Sequence, residues 1–416
     1  MASHQSLQAP APAVGGRRIA LAITVAAFGY FVDIYDLILF SVVRVASLKD
    51  LGVPQGDMLG AGTYLLNMQM TGMLIGGILW GVLGDRRGRL SVLFGSISLY
   101  SLANIANGFA GSVSAYAALR FIAGVGLAGE LGAGVTLVSE TMSTESRGYG
   151  TTIVAAFGIL GAVVAALVGD FFSWRAAYFV GGAMGLGLLA MRIGVYESGA
   201  FEQVARTNVS RGNVLTLFSS WARVRKYMGA VFVGLPPWFV VALLVTFAPE
   251  FGPALGLSSA PAAGRAVLLC YAGLSCGGFV SGFLSQLFRN RKKVTLAFIL
   301  MTAVFIAIYF AIGGLSLTAF YAMYFVMGIG TGYWAVFVTM AAEQFGTNIR
   351  ATVATTAPNF VRGAVVPMTW TFQELRNPLG IVGSGALVGA VSIAIALVSL
   401  ANLEETFGRD LNFVEE

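Results

Sequence analysis

The sequence predicts an all-α polytopic membrane protein of twelve transmembrane helices, arranged as two pseudo-symmetric six-helix bundles. Three observations predict it. Of 416 residues, 57% are hydrophobic and only 11% charged, whereas a soluble domain carries roughly 25% charge. Apolar runs of about 20 residues, enough to cross ~30 Å of hydrocarbon, recur from end to end. The second half of the chain also echoes the first: SETMSTESRGYGTT, after the fourth run, matches AAEQFGTNIRATVATT, after the tenth.

Residues 1–18, MASHQSLQAPAPAVGGRR, are small and Pro-rich, lack a signal-peptide pattern, and read as a disordered tail. Six spans follow near 19–43, 62–84, 90–110, 114–139, 149–169 and 174–194, each closed by a charged or Gly/Pro-rich break. The polar stretch 195–226 separates them from six more, near 227–249, 264–288, 293–313, 316–341, 352–373 and 379–402, and 403–416 forms a second tail. Pro236 and Pro237 lie inside the seventh span, which must bend or break there.

Orientation follows from the basic residues. Connections on one side hold 18 Lys and Arg, among them Arg86, Arg192, Arg291 and Lys292. The other side holds 5, Arg44, Lys49, Arg175, Arg265 and Arg376, and Arg120 and Arg362 fall inside spans. The positive-inside rule places both termini in the cytoplasm of a plasma (inner) membrane. The net charge of +6 is therefore a loop property rather than a nucleic-acid signal. Expected partners are a small-molecule substrate and membrane lipid, no nucleic acid, and no second copy of the chain.

Chemistry within the spans is sparse. Cys270 and Cys276 face different ways on one helix and cannot bridge. His4 is the only histidine, so a proton crossing the membrane must ride on Asp, Glu or water. No metal-ligand spacing occurs, and no nucleophile has a base partner, so an enzyme is not expected and no cofactor is implied beyond the proton as coupling ion.

Asp33 and Asp36, in FGYFVDIYDLILF, sit about 60° apart on one helical face, which Tyr30 extends. Each ionised Asp deep in a bilayer costs roughly 2.5–3.5 kcal/mol on insertion scales. Asp36 on the first span and Arg120 on the fourth both lie ~10 Å below the same membrane edge, so they are expected to pair and leave Asp33 freer to change protonation. Glu130 lies ~15 Å further down the fourth helix and is expected to be unpaired, a state that favours the protonated form of a buried carboxylate. Asp33, Asp36 and Glu130 are thus the candidate proton-coupling groups. The competing view is that they merely bind the first and fourth helices together.

In the second half, Arg362 is the one charge well inside a span, with Asn359 one turn before it and Pro358 and Pro367 flanking. Its planar fork matches a carboxylate. Trp238, Tyr333 and Trp334 could line a cavity with it, and the repeat sets Tyr333 opposite Glu130. These residues, with Tyr30 and Arg120, form the candidate substrate site.

The loop GVLGDRRGR at 81–89 and RFIAGVGLAGE at 120–130 resemble the signatures of the major facilitator superfamily. Within it, the acidic first helix and Ala128-Gly129-Glu130 are similar to the metabolite:proton and aromatic-acid symporters. The resemblance implies alternating access between two halves around a central solute. It also implies a gating role for Gly84, Asp85, Gly88 and Arg89. The second-half loop, GFLSQLFRNRKKVTLAF, departs from the signature with Gln286 in place of the Asp. Glu140 with Arg147 and Glu343 with Arg350 recur at one offset (343 − 140 and 350 − 147 are both 203) and are expected as gate pairs. The function expected is proton-coupled symport of a small organic anion. The alternative is proton-coupled export of cationic or amphiphilic compounds, since three acids outnumber Arg120 in the first half.

Overall fold

A computed structural model describes residues 16–87, 89–130, 147–197 and 217–408. Its first half holds α1 (Gly16–Asp50), α2 (Met58–Arg87), α3 (Arg89–Asn107), α4 (Val113–Leu127), α5 (Arg147–Phe171) and α6 (Trp174–Glu197). In the second half, α7 (Trp221–Val233), α8 (Leu235–Trp238), a π-helical stretch (Phe239–Val245) and α9 (Ala248–Ala254) together make the seventh span. There follow α10 (Ala263–Leu287), α11 (Arg291–Ala311), α12 (Leu317–Thr331), α13 (Trp334–Glu343), α14 (Thr347–Gly363) and α15 (Val365–Asn402).

Helix falls within every predicted span among the described residues, and 131–139 of the fourth lie outside them. Among the described residues, 7 helices are long and apolar enough to cross a membrane, or 8 with the pair Trp221–Val233 and Leu235–Val245 counted as one span bent by 45°. That bend falls at Gly234-Leu235-Pro236-Pro237, where proline removes two backbone donors. α15 joins the end of the eleventh span to the twelfth, and Gly380 at φ 68° marks the corner between them, a conformation that costs glycine little.

Helix starts are set locally. Ser112, Ser220, Asn290 and Ser316 stand in extended backbone and accept a bond from the third amide of the helix each opens, which satisfies one of its orphan donors. Packing repeats between the halves. α2 lies on α4 as α10 lies on α12, and glycines permit both approaches. A side chain at Gly72, Gly76 or Gly124 would strike the partner's backbone, as would one at Gly273, Gly277 or Gly328. Close approach between small residues is how helices associate where no solvent drives them together. The halves meet where α5 packs on α10 and α2 on α14.

The chain past α15 folds back onto the helix ends. Glu405 accepts the backbone N–H groups of Arg291, Lys292, Thr406 and Phe407 at 2.8–3.0 Å. Lys292 Nζ donates in turn to the carbonyls of Ala401 and Leu403. Burial pushes the Glu405 carboxyl up, but these four donors outweigh it and hold it below the usual glutamate value. Its contribution to stability is therefore complete above the ordinary glutamate range and fades as pH falls through the lowered value. Glu405→Gln is expected to remove that acid dependence and to speed amide exchange at Arg291 and Lys292. An unchanged exchange profile would refute the strap.

Candidate functional site

The first helix carries two carboxylates into the middle of the molecule, and both are fully buried. Asp33 faces the seam between the halves. Its Oδ2 lies 4.0 Å from Nη2 of Arg362 on α14, and neither of its oxygens finds a hydrogen bond among the described residues. Arg362 is itself buried. It donates through Nη1 to Asn359 Oδ1 at 3.3 Å and lies 5.4 Å over the Trp238 ring. Trp334 meets Trp238 edge to face, with centroids 6.2 Å apart.

Asn359 bridges the seam. Its Nδ2 donates to the carbonyl of Ala128, the C-cap of α4, at 3.0 Å. Tyr30, one turn before Asp33, lays its ring against Gly158 of α5. Tyr271 of α10, which the sequence pattern does not single out, lies within electrostatic reach of Tyr30, Asp33 and Arg362. One anion and one cation, each with unused bonding capacity, therefore sit among aromatic rings where the halves meet. A guanidinium with free N–H groups can take a carboxylate, and a loosely engaged buried acid can take a proton.

Several expected partnerships differ. Arg120 and Asp36 do not bond. Arg120 donates to Gln69 Oε1 and lies over the rings of Phe40 and Tyr178, at 5.1 and 5.6 Å. Asp36 turns instead toward Gly181 of α6. Depth along two helices does not fix rotation about them, which is why matched depths failed here. Arg120 accordingly belongs to the interior of the first half rather than to the seam.

Glu130 is not the unpaired acid expected. Arg192, placed by the sequence pattern among the loop charges, is buried and grips it from α6, with Nη1 at 3.0 Å from Oε2. Tyr333 is fully buried and donates to the Val233 carbonyl at 2.9 Å, so its hydroxyl serves the break in the seventh span rather than a cavity.

Among the gating candidates, Glu343 pairs with Arg291 at 2.8 Å, while Arg350 donates to the Phe345 carbonyl. Gly88 and Glu140 lie outside the described residues, as do the side chains of Asp85, Arg89 and Arg147 and the surroundings of Gly84.

A second joint between the halves lies eleven residues further along α1, ~16 Å from Asp33. Arg44 makes a two-pronged ion pair with Glu250 of α9, at 2.7 and 2.6 Å. It also donates to the Thr246 carbonyl at 3.2 Å and lies 4.6 Å over Phe247. Ser41 and Thr246 share a hydroxyl bond of 2.8 Å. On α2, Asn67 and Thr63 bond Thr369 and Gln373 of α15, at 2.6 and 2.8 Å. Both Arg44 and Glu250 sit at span ends, where a sequence reads charges as loop charges; nothing in the pattern pairs them.

The model of the Major Facilitator Superfamily matches residues 26–368. The gentisate transporter of Corynebacterium glutamicum is 24% identical, over 95% of this chain and 90% of its own length. The 3-(3-hydroxy-phenyl)propionate transporter of Escherichia coli is 26% identical, over 71% of this chain and 72% of its own. The inward-open xylose transporter XylE from E. coli superposes with a TM-score of 0.71 at 16% identity, covering 94% of this chain and 98% of that one.

Proposed function

The chain belongs to the major facilitator superfamily and transports small metabolites across a membrane, and on that premise we propose that it is a proton-coupled symporter of a small organic carboxylate. The observation that carries this reading is the Asp33–Arg362 pair, 4.0 Å apart across the seam and fully buried. Arg362 holds the substrate carboxylate, with Trp238 and Trp334 against its body and Asn359 fixing the guanidinium. Asp33 then loses its counter-charge and takes up the proton, so the loaded seam holds no unpaired charge as the halves rock. Asp36 backs Asp33 within the first half. Glu130, neutralised by Arg192, ties α4's end to α6 rather than carrying the proton.

The names of the relatives, a gentisate and a hydroxyphenylpropionate transporter, support an aromatic acid as cargo. The export reading loses its motive, because Arg120, Arg192 and Arg362 now balance Asp33, Asp36 and Glu130. In this scheme both termini are cytoplasmic in the inner membrane. The Arg44–Glu250 end faces outward, and the loop with Gly84, Asp85, Gly88 and Arg89, together with Glu140 and Arg147, gates the inner side.

The test is uptake by proteoliposomes under an imposed pH gradient, with a panel of aromatic acids, sugars and cationic dyes. Uptake of an acid with protons supports the proposal; gradient-driven accumulation of a dye in exchange for protons overturns it. Arg362→Ala is expected to raise KM for the acid about 10- to 100-fold, the worth of a charged hydrogen bond of about 1.5–3 kcal/mol. An unchanged KM removes Arg362 from the site.

A further inference from the structure

We propose that the first half encloses a hydrated polar column, separate from the seam, through which protons pass between Asp36 and the end of the bundle that holds Glu130 and Arg192. Its role as a proton path rests on the proton-coupled reading above; its existence rests on geometry alone.

Three helices of the first half, α1, α3 and α4, aim polar groups at one another without meeting. Both oxygens of Asp36, the Tyr100 hydroxyl, the Ser101 hydroxyl, both amide atoms of Asn104, and Nε and Nη1 of Arg120 are buried with no hydrogen-bond partner among the described residues. All five residues are fully buried. They are neighbours. Asp36 lies within electrostatic reach of Arg120 and beside the Asn104 amide, with no bond formed to it. Tyr100 lies within reach of Asp36 on one side and of Glu130 and Arg192 on the other.

The sixth span leaves room for them. Where α6 passes the group it presents Gly181 and Gly185, and a side chain at these positions would meet the Asp36 carboxylate and the Ser101 hydroxyl respectively. Two turns below Gly185, α6 carries Arg192, whose pair with Glu130 marks the far end of the column.

A dry arrangement of this kind would forfeit the hydration of every one of these atoms with nothing in return. Native interiors resolve such groups with ordered water, which needs two to four polar partners at each position. The partners here complement each other: Asp36 only accepts, Arg120 only donates, and Asn104, Tyr100 and Ser101 do both. A water chain along them conducts a proton without a titrating residue at each step. Asp33 hands its proton to Asp36, one turn on and within electrostatic reach; Asp36 gives it to the adjoining water, each water passes one on, and the last releases one to bulk. Asp36 remains as a carboxylate facing Arg120, and charge is conserved. The substrate meanwhile moves along the seam, so the two cargoes leave by different routes.

Radiolytic footprinting of the reconstituted full chain in isotopically labelled water tests the hydration directly. Tyr100 and Tyr333 are equally buried, but the Tyr333 hydroxyl is occupied by the Val233 carbonyl. Tyr100 is expected to take up label severalfold faster than Tyr333; equal, slow labelling of the two overturns the proposal. Conduction is tested by infrared difference spectroscopy after a pH jump, with the Asp36 band assigned through Asp36→Asn. Asn104→Leu is expected to slow Asp36 deprotonation severalfold, and an unchanged rate in the folded variant overturns the path. Failure of the symport reading shows elsewhere, as concentrative uptake that survives Asp33→Asn whatever Tyr100 does.

Discussion

Asp33→Asn is expected to reduce uptake driven by a proton gradient to background while leaving exchange of substrate across the membrane intact. The carboxamide has nearly the volume of the carboxyl, so packing around this fully buried position is kept. What it cannot do is alternate between charged and neutral. Arg362 then faces a permanently neutral neighbour at 4.0 Å, which is the electrostatic condition of the protonated wild type. Substrate binding therefore survives, and the halves can rock with substrate aboard. The empty carrier, however, holds an uncompensated buried guanidinium, and such a charge is costly in a membrane interior. Return of the empty form becomes the blocked step. Counterflow of labelled substrate separates the two outcomes: exchange at wild-type rate without net accumulation is the expected pair. Accumulation at wild-type level would remove Asp33 from coupling.

Arg44→Met should shift the carrier toward the state open at the Arg44–Glu250 end. The wild-type pair is bidentate, with Arg44 fully buried and the Glu250 side chain 16% exposed. Charged hydrogen bonds contribute about 1.5–3 kcal/mol each. Losing the pair while Glu250 gains water on opening thus favours the open form by about 10- to 100-fold. Methionine keeps the unbranched apolar stem of the side chain, so the effect reports mainly on the lost guanidinium. Spin labels at the exposed Asp57 and Ser259 report the separation of the two lips directly. Glu250→Gln should act in the same direction, and the double variant should add little to either, because both remove one interaction. An unchanged distance distribution in Arg44→Met, or fully additive effects, would show that the pair does not hold this end shut.

The helices were legible because hydrocarbon imposes a length and a composition that no other environment does. The break in the seventh span was legible because Pro236 and Pro237 cannot keep a helix intact. The internal charges were legible as outliers: Asp33, Asp36, Arg120, Glu130 and Arg362 each stand in an apolar run, and each is buried. Their partners were not legible. Depth can be counted from a span's end, but azimuth depends on how neighbouring helices rotate, and so Asp36 and Arg120 share a level without sharing a bond. Arg192 misled for a related reason. It lies near the end of its span, where arginine usually reaches for water, yet the acid at the end of α4 draws it inward. The Arg44–Glu250 pair joins residues 206 apart, and only the folded contact between the halves brings them together.

The phenol of Tyr333 on the carbonyl of Val233 has a mechanical consequence. A fracture in a membrane-buried rod ordinarily leaves a naked peptide oxygen, and that penalty would resist any flexing at the spot. Here a neighbouring rod supplies the missing donor on a side chain with its own freedom to swivel. The seventh segment can therefore articulate at Gly234 with its oxygen still clothed, like a joint fitted with a bearing. Its two arms are free to move separately as the cargo passes.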